Sequence, residues 1–263
     1  MQASERELTA IADMLAKAVR EAGELALTYR KGDLKHWTKE KDSPVSEADI
    51  AVDALLKERL VAPGFAWLSE ESEDDGARLT ARRVWVVDPI DGTRSYIGGL
   101  QDWAVSAALV EDGRPVVAAL YAPAYDEFFT AIAGRGALRN GTPIMASGGG
   151  GLAGARVAGP RKVIERLTAV EPAIQPMPRV FSLALRFARV AEGKLDAAIA
   201  APASRDWDLA AADLLVHEAR GILATLAGEP VAYNRSDPVH GSLVAAAPSR
   251  HRALSDLLQR QPT

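Results

Sequence analysis

Val84-Trp85-Val86-Val87-Asp88-Pro89-Ile90-Asp91-Gly92-Thr93 is the stretch around which the chain is organised. Val84 to Val87 are apolar, and three of the four are β-branched, which predicts a short, fully buried strand. Pro89 has no N–H for a central ladder, so the strand is expected to end at Asp88-Pro89. Asp88 and Asp91 then stand at the strand tip with the Ile90 carbonyl between them. The bare backbone of Gly92 and the hydroxyl of Thr93 follow. Two acids, a carbonyl and a hydroxyl suit a hard, oxygen-seeking cation such as Mg²⁺. The same residues also read as a turn whose acids cap the next helix and face solvent. This stretch alone leaves both readings open.

The chain has 263 residues, enough for one large domain or two small ones. It is 48% hydrophobic and 25% charged, which is ordinary for a globular protein with a substantial core. With no cysteine, thiolate metal sites, disulfides and cysteine nucleophiles are excluded, and a reducing, cytoplasmic setting is expected. The polar, acidic start (Met1 to Glu7) does not read as a signal peptide, and no apolar run approaches the length of a membrane span. A net charge of -4 argues against a nucleic-acid-binding surface but not against a small anionic substrate, because a metal can supply local positive charge.

Leu8, Ile11, Leu15, Val19, Ala22 and Leu25 recur at three- and four-residue steps and predict one amphipathic helix over 4–30. Residues 35–42 are polar and aperiodic and read as a mobile loop. Ser46, with Asp49 three residues on, predicts the capped start of a second helix with Ile50, Leu55, Leu56 and Leu60 on its buried stripe and Pro63-Gly64 at its close. Residues 65–68 form a short strand that delivers Ser69-Glu70-Glu71-Ser72. An antiparallel meander is expected over 104–110, 116–122 and 127–132, and Asn140-Gly141 signals a hairpin before a strand over 142–145.

Ser147-Gly148-Gly149-Gly150-Gly151 reads as a flexible joint, and the domain boundary is expected there. It divides an N-terminal α+β domain (1–146) from a C-terminal α/β domain (147–263). In the second, strands at 156–158, 196–200, 222–225 and 243–246 alternate with helices at 162–168, 182–192, 208–219 and 249–259, which implies a sheet flanked by helices. A further acid element lies here, Asp206-Trp207-Asp208-Leu209-Ala210-Ala211-Ala212. Asp208 opens a helix, where an acid is favoured by the dipole or serves as an N-cap. The alanines allow close packing, and Trp207 is expected to fill core volume. His36, His217, His240 and His251 fall in none of these elements and read as surface or core-edge residues.

Taken together and in this order, Val45-Ser46-Glu47-Ala48-Asp49, Ser69-Glu70-Glu71-Ser72, Asp88-Pro89-Ile90-Asp91-Gly92-Thr93 and Trp207-Asp208-Leu209-Ala210-Ala211 resemble the inositol monophosphatase superfamily of Mg²⁺-dependent, lithium-sensitive phosphatases. The resemblance covers nearly the whole chain. It implies a layered αβαβα sandwich of the inositol monophosphatase and fructose-1,6-bisphosphatase type, and it favours the metal reading of Asp88 and Asp91. It also implies roles. Glu70, Asp88 and the Ile90 carbonyl would hold a first metal, and Asp88, Asp91 and Asp208 a second. Glu70 would help hold a weaker third ion beside the attacking water, which Thr93 with Asp49 would orient and deprotonate. The Gly92 and Thr93 amides would bind the phosphate at a helix N-terminus. The cofactor implied is Mg²⁺, two to three per site, with Mn²⁺ as a substitute and Li⁺ as an inhibitor. The partners implied are a small-molecule phosphate ester and a second copy of the chain in a homodimer, with neither nucleic acid nor membrane.

The substrate residues depart from the inositol pattern. The family's sugar-binding glutamate is replaced by Ala201, and an acid in the helix before Gly193 by Arg186. The stretch from Leu185 to Gly193 looks more like the 3'(2'),5'-bisphosphate nucleotidase branch, in which a basic side chain could bind a second phosphate. The bland reading of Arg186 is a solvent-facing arginine. Arg94-Ser95-Tyr96 after the hexapeptide keeps histidinol-phosphate phosphatases in view, and Phe181 stands where the family has glycine. A bisphosphate nucleotide is the expected substrate, with inositol 1-phosphate and histidinol phosphate as alternatives. A non-catalytic regulatory binding protein on the same fold is the alternative of another class.

Overall fold

A computed structural model describes residues 5–38, 44–60 and 64–260. Helix α1 (Glu5–Tyr29) turns Ile11, Leu15, Ala18, Val19, Ala22 and Ala26 inward, the stripe its periodicity predicts. Strands β1 (His36–Thr38) and β2 (Pro44–Ser46) pair antiparallel, so part of the expected loop over 35–42 is a strand. The ladder continues into α2 (Glu47–Leu60), because the Glu47 amide donates to the Lys35 carbonyl and the Lys35 amide to the Glu47 carboxylate. Residues 39–42 of the expected loop, with Ser43 and Pro63, lie outside the described residues. In α2 the buried stripe is Ala48, Val52, Leu56 and Leu60. Ile50 is 44% exposed because it lies two residues from both Ala48 and Val52, on the opposite side of the helix.

Strand β3 (Phe65–Ser69) runs parallel to β4 (Arg83–Asp91), with a 3₁₀ turn at Ala77–Thr80 between them. The short helix α3 (Thr93–Ile97) follows β4. The meander is β5 (Ala104–Glu111), β6 (Arg114–Ala122) and β7 (Glu127–Ile132), and the hairpin is β8 (Ala137–Arg139) and β9 (Thr142–Ile144). Met145, expected at the end of the last strand, lies beyond it and is exposed. These strands make a seven-stranded sheet in the order β3-β4-β5-β6-β7-β8-β9.

The second half supplies β10 (Arg156–Ala158), α4 (Arg161–Val170), β11 (Gln175–Pro176), α5 (Leu183–Ala191), β12 (Ala197–Ala200) and β13 (Ser204–Arg205). It continues with α6 (Asp206–Glu218), β14 (Ile222–Thr225), β15 (Val239–His240), β16 (Leu243–Ala246) and α7 (Pro248–Gln259). A mixed five-stranded sheet has the order β11-β10-β12-β16-β14, and β13 pairs with β15.

Five layers result. One face of the seven-stranded sheet (Trp85, Val87, Val105, Leu109) packs on α1 and α2. The other face (Val84, Val86, Ala108, Leu120) packs on α5 and α6, whose far side meets Ala198, Ala200 and Ala245 of the second sheet. The outer face of that sheet (Val157, Ile199, Val244) is covered by Leu167 of α4 and Leu254 of α7. Burial on both faces explains why 84–87 is a continuous apolar run rather than an alternating one. Ala210, Ala211 and Ala212 are all buried and let α6 sit close between the sheets.

Strand β4 does not stop at Pro89, as a central proline would predict. It runs to Asp91 because its pairing with β5 slips by one residue: Asp88 pairs with Ser106 and Asp91 with Ala104. Three steps on β4 thus match two on β5, and Pro89 falls in the bulge, where no ladder bond is required of it. In a regular strand residues 88 and 91 would face opposite ways; the extra residue turns both towards the middle layer.

The glycine run after Ala146 is held by Arg250 of α7, which is buried and donates to the Ser147, Gly148 and Gly151 carbonyls. A Cβ on Gly150 would stand 2.9 Å from the Ser249 side chain, so at this position glycine permits a close approach.

Candidate metal and active site

The site is assembled where the tip of β4 meets the starts of α2, α5 and α6. Carboxylate oxygens of Asp88, Asp91 and Asp208 lie within 4.8 Å of one another. Asp88 sits almost fully buried, and its Oδ1 has no hydrogen-bond partner. Burial, then the negative charges of Glu70, Asp91, Asp208 and Asp49, push the Asp88 carboxyl well above the usual carboxylate range. Burial and Asp91 push Asp208 up in the same way, and Glu70 adds to it. Those effects bring Glu70, on the loop after β3, electrostatically into the cluster.

Each acid is also fixed by its own element. Asp91 Oδ2 accepts from the Ser182 hydroxyl at 2.5 Å and the Ala184 amide at 2.6 Å, and the Leu183 amide also bonds to this carboxylate. It is therefore the anion at the start of α5, whose N-cap is Ser182. Burial raises its pKa, and these bonds with the Arg186 charge pull it part of the way back. Asp208 is not the N-cap of α6: it stands at the third position and its Oδ2 accepts from the Arg205 amide at 2.7 Å. Its other oxygen atom is left for the cluster.

Asp49 on α2 closes a box with Ser46, accepting from the Ser46 amide at 2.8 Å and hydroxyl at 2.5 Å through Oδ2. Its Oδ1 is 3.2 Å from the Thr93 hydroxyl, which is also 3.0 Å from the Ile90 carbonyl. Burial pushes the Asp49 carboxyl up. Gly92 caps α3 at φ +92°, and a Cβ there would meet the Asp102 carbonyl at 2.8 Å and the Ser182 amide at 3.2 Å. Only glycine fits where α5's entry passes over this turn.

Arg186 faces neither solvent nor an open cleft. It is 6% exposed, and its guanidinium donates to the Val180 carbonyl (2.6 and 3.1 Å) and to the Ile199 carbonyl (3.1 Å). It nevertheless lies within the electrostatic reach of both Asp91 and Arg179. Ala201 is exposed. Two arginine–aromatic pairs stand beside the acids: Arg179 over Phe181 at 4.9 Å, next to Ser182, and Arg205 over Trp207 at 5.8 Å, next to Asp208.

Several residues were not expected from sequence. Asp53 of α2, Asp213 of α6 and the buried His240 have no motif around them, and Asp206 reads only as part of the Asp208 element. Asp206 bridges His240 at 2.6 Å and the Asn234 amide at 2.7 Å, seating α6 on β15. His251 is buried as well. The spacing of Asp53 four residues after Asp49 is the one signal that could have placed it on the same face.

The family model described as the inositol monophosphatase family matches residues 6–261. Histidinol-phosphatase of Mycobacterium tuberculosis is 33% identical over 231 residues, covering 82% of this chain and 87% of that protein. The 3'(2'),5'-bisphosphate nucleotidase CysQ of Aggregatibacter actinomycetemcomitans is 29% identical over 83% of this chain and 85% of its own length. Among solved structures, the extragenic suppressor protein suhB of Bartonella henselae superposes with a TM-score of 0.85 at 26% identity, covering 96% of this chain and 100% of that one. A layered sandwich, an acid cluster at its β4 tip and a match spanning nearly every residue converge: the chain belongs to the inositol monophosphatase family.

Proposed function

We propose that this member of a family of phosphoric monoester hydrolases acts, with Mg²⁺, on a small metabolite bearing more than one anionic group, of the 3'(2'),5'-bisphosphate nucleotide type. The observation that carries the metal reading is the buried Asp88 Oδ1, a carboxyl oxygen with no hydrogen-bond partner among crowded acids. An orphan of that kind is costly in the protein alone, and an all-oxygen set suits Mg²⁺. Asp88, Asp91 and Asp208, with Glu70 and the Ile90 carbonyl, would hold the ions. When bound, a divalent cation neutralises charge on the phosphoryl oxygens and makes an attacking water easier to ionise.

The chain's own groups would do the rest. The backbone at Gly92 and Thr93 would receive the phosphate at the start of α3. Thr93, held between Asp49 and the Ile90 carbonyl, would orient the water and pass a proton to Asp49. The raised pKa of Asp49 makes its carboxylate a better base than an exposed one. Arg179 and Arg205, each stacked on an aromatic ring beside the acids, support a polyanionic substrate over a cationic one. Ala201 offers no acid to meet sugar hydroxyls. Arg186, with its guanidinium already on carbonyls, would act from below by steadying the Asp91 region.

A histidinol-phosphate reading is supported by Arg94-Ser95-Tyr96 and by the similarity to the mycobacterial histidinol-phosphatase. Phosphate release from adenosine 3',5'-bisphosphate, histidinol phosphate and inositol 1-phosphate, each titrated with Mg²⁺, separates the readings. The bisphosphate should give the highest kcat/KM. A higher value for either monophosphate would end the nucleotidase reading, and no release from any ester at any Mg²⁺ concentration would favour a binding protein.

A further inference from the structure

We infer that Asp53 is a positioning residue that sets Glu70 against the acid cluster, and that α2 thereby governs two separate parts of the site from one face. This rests on the metal-site reading above. Asp53 is 7% exposed, in the middle of α2. Its Oδ1 accepts from the Ser69 hydroxyl at 2.5 Å and its Oδ2 from the Ser72 hydroxyl at 2.6 Å. Both carboxylate oxygens are thus spent on the two serines that bracket Glu70 and Glu71. The bracket is braced on both sides. The Trp67 indole N–H donates to the Ser72 hydroxyl at 3.2 Å, and the Glu71 amide to the Ser69 hydroxyl at 3.3 Å. The Glu70 amide donates to the Val87 carbonyl at 3.3 Å, one residue before Asp88.

The loop is therefore pinned to β4 by its backbone and to α2 by Asp53. Asp49 lies one helical turn earlier on the same face, where it holds Thr93. The rise per turn of a rigid helix then sets the offset between the Thr93 hydroxyl and the Glu70 loop. A buried carboxylate that accepts two hydroxyl hydrogens at short range makes charge-assisted bonds, which fix geometry more firmly than neutral ones. Groups that orient ligands in this way commonly change metal affinity 10- to 100-fold when removed.

The test is Mn²⁺ binding, followed by the electron paramagnetic resonance of free Mn²⁺, on wild type, Asp53→Ala, Glu70→Gln and the double variant. Asp53→Ala should weaken Mn²⁺ binding by roughly 10-fold or more. On the Glu70→Gln background the same change should have little further effect, because Asp53 acts through Glu70. Ser72→Ala, which removes one of the two bonds and leaves the carboxylate in place, should give a smaller loss in the same direction and covers the case in which Asp53→Ala does not fold. Full additivity of Asp53→Ala and Glu70→Gln, or wild-type Mn²⁺ affinity in folded Asp53→Ala and Ser72→Ala, would overturn the inference. Absence of Mn²⁺ binding by the wild type would instead overturn the metal-site reading on which it rests.

Discussion

Asp88→Asn separates what the acid cluster costs the fold from what it gives the site. In the metal-free protein, oxygens of Asp88, Asp91 and Asp208 crowd within 4.8 Å, so each ionised pair repels by about 3 kcal/mol at an effective dielectric near 20. Asp88 stands in two such pairs. The same burial and crowding push the Asp88 and Asp208 carboxyls up, so the fully ionised sum is an upper bound. A net gain of about 3 kcal/mol is therefore expected when the charge is removed by a side chain of the same shape, whose amide can donate to a neighbouring carboxylate. For a chain of this size that is a rise in Tm of roughly 6–12 °C without metal. Wild type should recover stability with Mg²⁺, by about 2.7 kcal/mol at a hundredfold excess over Kd, and the variant should not. Melting curves with and without Mg²⁺, alongside phosphate release, measure both arms. An unchanged or lower metal-free Tm, together with a wild-type Mg²⁺ shift, would refute the reasoning. Asp91 is a poorer choice: its carboxylate also anchors the start of α5, so the two effects oppose each other.

Two further outcomes follow from Asp213 of α6 and from Gly92 at the cap of α3. Burial pushes Asp213 up to about 6, so the native state holds its proton more tightly than the unfolded chain does; the resulting loss of stability begins above about pH 4 and is complete above pH 6. The stabilisation of Asp213→Asn over wild type should therefore grow by about 1.4 kcal/mol from pH 5 to pH 8 in urea unfolding, whereas an equal increment at both pH values would contradict it. Gly92→Ala places a Cβ against the Asp102 carbonyl at a left-handed φ, and strain of roughly 1–3 kcal/mol should lower kcat 5- to 150-fold in a protein that still folds by circular dichroism; near-normal kcat would exclude a role for that turn.

What could be read from sequence was what is local. The two-sided burial of 84–87, the 3.6-residue stripe of α1 and the Ser46–Asp49 box each need only neighbouring residues, and each is present in the fold. Asp88, Asp91 and Asp208 are brought together as the family resemblance, not the local motifs, implied. The rest depends on distant partners. Two-residue ladders such as β13–β15 are too short to have a period. For Arg186 the sequence allows a solvent-facing arginine or a phosphate ligand, and its Val180 and Ile199 carbonyls become visible only once α5 is laid on β12. The glycine run read as loose chain, yet Arg250, a hundred positions on, grips it. Asp53 has no local signal of its part, because its partners Ser69 and Ser72 lie 16 and 19 positions away.

The one-residue slip at Pro89 makes arithmetic, not only chemistry, a constraint on this enzyme family member. Side-chain identities between Asp88 and Asp91 could drift while the oxygens kept their aim. Deleting or adding a single position there would rotate Asp91 to the far face, away from Ser182 and Asp208, and would strand the entrance of α5 without its anion. Variation in this segment should therefore be substitutional and never a change in count.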